Sequence, residues 1–112
     1  MRLTGGGNPR RGRLEVLVDG RWGILAGPLP DAAAMIVCKQ LGFVKGGFPL
    51  AAGTIADQGP GYLHYAAWFS CVGDEASLMD CIQNPDPTTE GLDAGVECQG
   101  TQCRFCLAQV NQ

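Results

Sequence analysis

Six cysteines, Cys38, Cys71, Cys81, Cys98, Cys103 and Cys106, stand in a chain of 112 residues, none of them before position 38. An even cysteine count in so short a chain constrains the fold strongly, because each bridge fixes two distant segments side by side. It also favours an oxidising, extracellular setting over the cytosol. The rest of the composition calls for such staples: 17 glycines and 7 prolines make a loop-rich chain, and 7% aromatic content leaves a thin core. The length is that of one domain.

The first cysteine lies in "DAAAMIVCKQLGF", Asp31 to Phe43. Ala34, Val37, Cys38 and Leu41 stand at i, i+3, i+4 and i+7, one apolar stripe of a helix, with Lys39 and Gln40 pointing elsewhere. Asp31, after Pro30, is the expected N-terminal cap, and Gly42 the stop. On this stripe Cys38 faces a core, as an inert thiol, a metal ligand or half of a disulfide.

Before the helix, "GRLEVLVDGRWGIL" reads as a hairpin. Leu14, Val16 and Val18 alternate, Asp19-Gly20 is a two-residue turn, and Trp22, Ile24 and Leu25 start the return strand. "MRLTGG" reads as a short edge strand, and "GPLP" breaks the hairpin. Val44 to Gly61 reads as a long loop, Tyr65 to Cys71 as a strand, and Asp74 to Cys81 as a short helix. "NPDPTTEG" reads as a loop and Ala94 to Cys98 as a last strand. Trp22 is expected in the core. Trp68 and Phe69, adjacent on a strand, point to opposite sides, which leaves one of them for a partner.

Charge is unevenly laid out. Arg2, Arg10, Arg11, Arg13 and Arg21 are five of the eight basic residues, whereas Gly46 to Cys103 holds no Lys or Arg and eight acidic residues. Arg10, Arg11, Arg13 and Arg21 are therefore candidates for a polyanionic ligand, with Trp68 as an aromatic contact. A nucleic-acid partner is not expected of a chain with net charge −3. No apolar run reaches the ~20 residues of a membrane helix, and no apolar segment follows Met1-Arg2-Leu3-Thr4, so a secreted domain with this start has its targeting elsewhere. Enzymatic chemistry finds little support. His64 is the single histidine and reads as a surface or hydrogen-bonded ring, Ser70 and Ser77 lack a nucleophile elbow, and "GGGNPRRG" lacks the Lys-Ser/Thr of a phosphate loop. The C-x-x-C of Cys103 and Cys106 lacks both a strand-to-helix setting and matching zinc ligands, and reads as a local disulfide or part of a following module.

Taken in order, "VDGRWGIL", "DAAAMIVCKQLGF", "CVGDEASLMDC" and "DAGVEC" resemble a scavenger receptor cysteine-rich domain of group A type, over roughly Arg2 to Cys98. The resemblance implies a small disulfide-stapled α+β domain: a curved, mostly antiparallel sheet cradling one main helix, a short second helix and long loops. It implies the pairs Cys38–Cys98 and Cys71–Cys81. Residues 1–100 would be the domain, and 101–112 a C-terminal tail or linker. The implied role is non-catalytic recognition of a protein or polyanionic glycan, in the ectodomain of a larger secreted or membrane protein. No cofactor, no direct membrane insertion and a monomeric state in isolation are expected. The alternative is a structural spacer with no ligand of its own.

The chain departs from the family pattern at two places. Ala26 and Thr88 stand where the family has a third cysteine pair. Gly27, Pro28, Leu92 and Ala67 stand where metal-binding members carry acidic or amide side chains, so tight calcium binding is not expected there. Asp86, Glu90 and Asp93, close in a loop without basic neighbours, are a weak alternative.

Overall fold

The protein is described here by a computed structural model covering residues 1–55, 63–88 and 91–102. Along the chain run β1 (Arg2–Asn8), β2 (Arg11–Val18), β3 (Arg21–Leu25), α1 (Asp31–Gln40), β4 (Gly47–Leu50), β5 (His64–Phe69), β6 (Ile82–Thr88) and β7 (Gly95–Cys98). A single 3-10 turn, Leu78–Asp80, precedes β6.

The Asp19-Gly20 turn sets the register of the first hairpin. Both residues take positive φ (50° and 80°), the conformation that matches the twist of paired strands, and Val18 then faces Arg21 and Leu17 faces Trp22. Gly23 in β3 leaves room for the Tyr65 ring, which a Cβ there would approach to 2.5 Å. The Tyr65 hydroxyl donates to the Arg21 carbonyl at 3.1 Å, so one aromatic side chain locks β5 under the hairpin. The sheet runs β4-β7-β2-β3-β5-β6, with β1 on the other side of β2. Every pairing is antiparallel except β3 with β5, whose connection carries α1 and β4.

One face of the sheet packs on α1. Leu14 and Val16 of β2, Leu25 of β3, Tyr65 of β5 and Val96 of β7 meet Ala33, Ala34, Ile36, Val37 and Cys38 of the helix, all buried, with Leu29, Phe43 and Leu78 closing the sides. The helix starts differently from the cap reading. Pro30 is the N-cap, with no side-chain hydrogen bond, and Asp31 is the first helical residue, its carboxylate still near the positive helix end. The stop is at Gly42 (φ 99°), whose N–H donates to the Lys39 carbonyl while that of Phe43 donates to Cys38.

The chain pairs Cys38 with Cys98 and Cys71 with Cys81. The first bridge ties α1 to β7; the second closes the loop between β5 and β6. Cys103 and Cys106 lie outside the described residues.

Three local expectations are corrected. The stretch read as a loop from Val44 to Gly61 contains β4, which pairs with β7 from Gly47↔Cys98 to Leu50↔Gly95. The segment read as a loop at "NPDPTTEG" belongs largely to β6, and the expected helix from Asp74 shrinks to the 3-10 turn, whose Ser77 hydroxyl accepts from the Met79 N–H. Prolines hid both strands: Pro49 lies in β4, and Pro85 and Pro87 in β6, and both strands end the sheet, where a missing N–H is tolerated. The third edge, β1, is broken by positive-φ Gly5 and Gly7 and by a register shift.

Candidate ligand-binding surface

Because Leu14 and Val16 face the helix, strand alternation turns Arg11, Arg13, Glu15 and Leu17 to the opposite face. The neighbouring strands complete that face. Across β7, Glu97 lies opposite Arg11; across β1, Arg2 lies opposite Glu15 and Thr4 opposite Arg13; across β3, Trp22 lies opposite Leu17.

Two glutamates organise the arginines. Glu97 meets Arg11 Nη1 at 3.2 Å and Arg10 Nε at 3.6 Å. Glu15 accepts from Arg2 Nε at 3.0 Å and from the Thr4 hydroxyl at 2.6 Å. Burial pushes the Glu15 carboxyl up, but the hydrogen bonds from Thr4 and Arg2 and the charges of Arg2 and Arg13 outweigh it and hold the group below its ordinary value. Arg2 also lies over the Trp22 ring, 4.0 Å from its centroid. Trp22 is therefore not the core residue expected; it is 39% exposed and carries a cation on its face. Arg21 sits exposed at the hairpin end. Among the described residues Arg2 thus pairs with Glu15, and Arg10 and Arg11 share Glu97, so five arginines and two glutamates gather along this part of the sheet. The Arg2–Trp22 stack is the contact the sequence hid, since the two residues lie on strands that pair only through β2.

Gly27 and Leu92, two of the residues at the family's metal positions, do come together, but without the chemistry. The Gly27 N–H donates to the Leu92 carbonyl at 3.0 Å and Ala26 bridges Asp93, so positions 27 and 92 are neighbours. Leu92 is an exposed hydrocarbon, and Gly27 and Pro28 bring only main-chain oxygens; this donor set does not fit a divalent cation, which gathers six to eight oxygens. Among the described residues no three His, Cys, Asp or Glu side chains group as metal ligands. Asp93 is turned inward, its Oδ1 2.7 Å from His64 Nε2, with both side chains buried. Asp86 lies exposed on β6 opposite Ala66, and Glu90 lies outside the described residues.

Trp68 is the outward member of its pair, 74% exposed, while Phe69 is partly buried against the core. Trp68, Ala66, Ala67 and Asp86 line a shallow cleft of about 260 Å³.

Comparison with known proteins agrees on one family. The scavenger receptor cysteine-rich domain model matches residues 4–99. Lysyl oxidase homolog 2B of Danio rerio is 37% identical over 103 residues, and lysyl oxidase homolog 2 of Xenopus tropicalis 38% identical over 101. Each alignment takes in 88% of this chain but 13% of the relative, so the chain spans about an eighth of the length of these proteins. Among solved structures, the third SRCR domain of murine neurotrypsin superposes with a TM-score of 0.71 at 30% identity, covering 90% of this chain and 96% of that one. The SRCR domain of mouse MARCO, in its dimeric form, gives 0.61 at 31% identity, covering 88% and 94%.

Proposed function

The chain belongs to the scavenger receptor cysteine-rich family, and from that premise we propose that it is a non-catalytic recognition module of a larger extracellular protein, binding polyanionic ligands through its arginine-bearing sheet face. Residues 1–100 form the module and 101–112 a tail or linker. The observation that carries the reading is the sharing of Glu15 and Glu97 among Arg2, Arg10, Arg11 and Arg13. Each carboxylate lies among more than one guanidinium group and helps to hold them in place, so planar donors stand pre-arranged for sulfate or carboxylate groups on a ligand. Arg2 and Arg10 keep 52% and 54% of their side-chain surface open for that contact.

The experiment is retention on a heparin column. The wild-type domain should bind and elute as salt rises, since exposed charges are screened over about 8 Å at physiological ionic strength. The triple variant Arg10→Ala, Arg11→Ala, Arg13→Ala should elute much earlier, with circular dichroism confirming that it is folded. Unchanged retention would discard the arginine face. Failure of the wild type to bind would favour a spacer role, a reading that the loss of carboxylates at Gly27, Pro28 and Leu92 also supports.

A further inference from the structure

We propose a second docking surface, on the β5–β6 end of the sheet, that takes an extended cationic peptide segment of a partner protein, with Trp68 as the cation-receiving ring. The proposal goes beyond the polyanion reading and uses a different part of the molecule: in strand order, β5 and β6 lie across β3 from the arginine-bearing β2.

Three observations carry it. Alternation along β5 exposes Ala66 and Trp68 on one side, Ser70 and Val72 beyond the strand are exposed as well, and Trp68 and Val72 are 74% and 78% exposed. Tryptophan so open to solvent has no core role in this fold, and such residues are enriched where interfaces concentrate binding energy. Acidic groups border the ridge. Asp86 lines the cleft beside Trp68, and at the far end the Cys71–Cys81 bridge, with Cα atoms 4.9 Å apart, brings exposed Asp80 next to the Val72 turn. Finally, no Lys or Arg occurs between Gly46 and Cys103, so nothing from these strands neutralises the border.

The chemistry of the occupant follows. An indole face attracts an ammonium or guanidinium within about 6 Å, and flanking carboxylates raise the local concentration of cations. From Ala66 to Ser70, whose N–H still donates to the Cys81 carbonyl at 2.8 Å, the ridge runs roughly 13 Å at ~3.3 Å per residue, and Val72 lies beyond it, so six or seven residues of extended peptide cover it. The surface is also firm. The Glu75 carboxylate accepts from the Val72 and Gly73 N–H groups at 3.0 and 2.9 Å, and β5 pairs with β6 as far as Phe69 and with β3 at His64 and Tyr65.

The test is an NMR titration of the labelled domain with a peptide of alternating glycine and arginine, about seven residues long. The Trp68 indole N–H should move and that of Trp22 should not. Trp68→Ala should weaken binding at least about five-fold and Asp86→Asn by a similar factor. Both side chains are exposed, so neither change should disturb folding. The Arg10, Arg11, Arg13 triple variant should bind the peptide no less tightly, which separates this surface from the heparin-binding one. Movement of Trp22 alone, or an unchanged affinity in Trp68→Ala, would overturn the proposal. So would equal binding of a glycine–serine peptide, which would point to an apolar partner. Concentration-dependent self-association abolished by Trp68→Ala would make a second copy the occupant and overturn it too.

Discussion

Asp93 is buried with one carboxylate oxygen bonded to His64 Nε2 at 2.7 Å, and among the described residues no donor reaches the other oxygen. A half-satisfied buried carboxylate is costly, so its bond to the imidazole must be strong enough to hold it in place. Removing one partner of a buried hydrogen bond, which leaves the other unsatisfied, typically costs about 1–3 kcal/mol. Asp93→Ala should therefore lower the urea midpoint sharply, while Asp93→Asn, which keeps an oxygen for His64, should lose less. Equal midpoints for Asp93→Ala and the wild type would show the pair to be idle. Glu15 makes a prediction of a different kind. Its carboxyl is held below the ordinary 4.5 by Thr4, Arg2 and Arg13 despite burial, so the ionised form is bound more tightly in the folded chain than in the unfolded one. That contribution is complete above the unfolded value and disappears as pH falls through the folded one. The stability gap between the wild type and Glu15→Gln should thus be widest at about pH 7 and narrow towards about pH 3. A gap that stayed constant with pH would mean that packing, not charge, makes Glu15 useful.

The helix and the strands depend on the two bridges unequally. Cys38–Cys98 spans 60 residues and Cys71–Cys81 spans 10, so loop-closure entropy assigns about 4 kcal/mol to the first and about 2.7 to the second. The double variant Cys38→Ala, Cys98→Ala should lose more stability than Cys71→Ala, Cys81→Ala, by about 1.5 kcal/mol in chemical denaturation, before any cavity cost. The reverse order would place the stabilisation in local packing. Around Cys38 the packing is tight: a Cβ on Gly47 would lie 2.5 Å from its sulfur, so α1, β4 and β7 meet at this bridge. The sequence made some of these elements legible and hid others for a physical reason. The first hairpin, α1 and β7 announce themselves because their alternation or 3.6-residue period comes from burying one face. β4 and β6, carrying Pro49, Pro85 and Pro87, have no such signal and owe their strand geometry to partners distant in sequence. The candidate site divides the same way. The arginines of β2 could be counted from the sequence, but their sharing of Glu97, 86 positions from Arg11, and the burial of Asp93 against His64, 29 positions away, depend on strand order, which periodicity does not encode.

At the scale of the whole molecule, strand order sorts the charges. The arginines gather on β1, β2 and the first hairpin, while the β5–β6 end carries Asp86 and the acidic loop closed by Cys71–Cys81. Such a molecule has two electrically unlike ends, and each can be removed by surface substitutions without touching the core. The rims of the sheet bear on how such domains live together. Among the described residues, Pro49 in β4, Pro85 and Pro87 in β6, and the positive-φ glycines of β1 interrupt the rims of the sheet. Unblocked rims recruit one another when chains are crowded. Units tethered a few residues apart experience effective concentrations in the millimolar range, where a bare strand would zip onto its neighbour. Copies of a domain with rims like these can be strung closely along one polypeptide and each still folds as a separate bead.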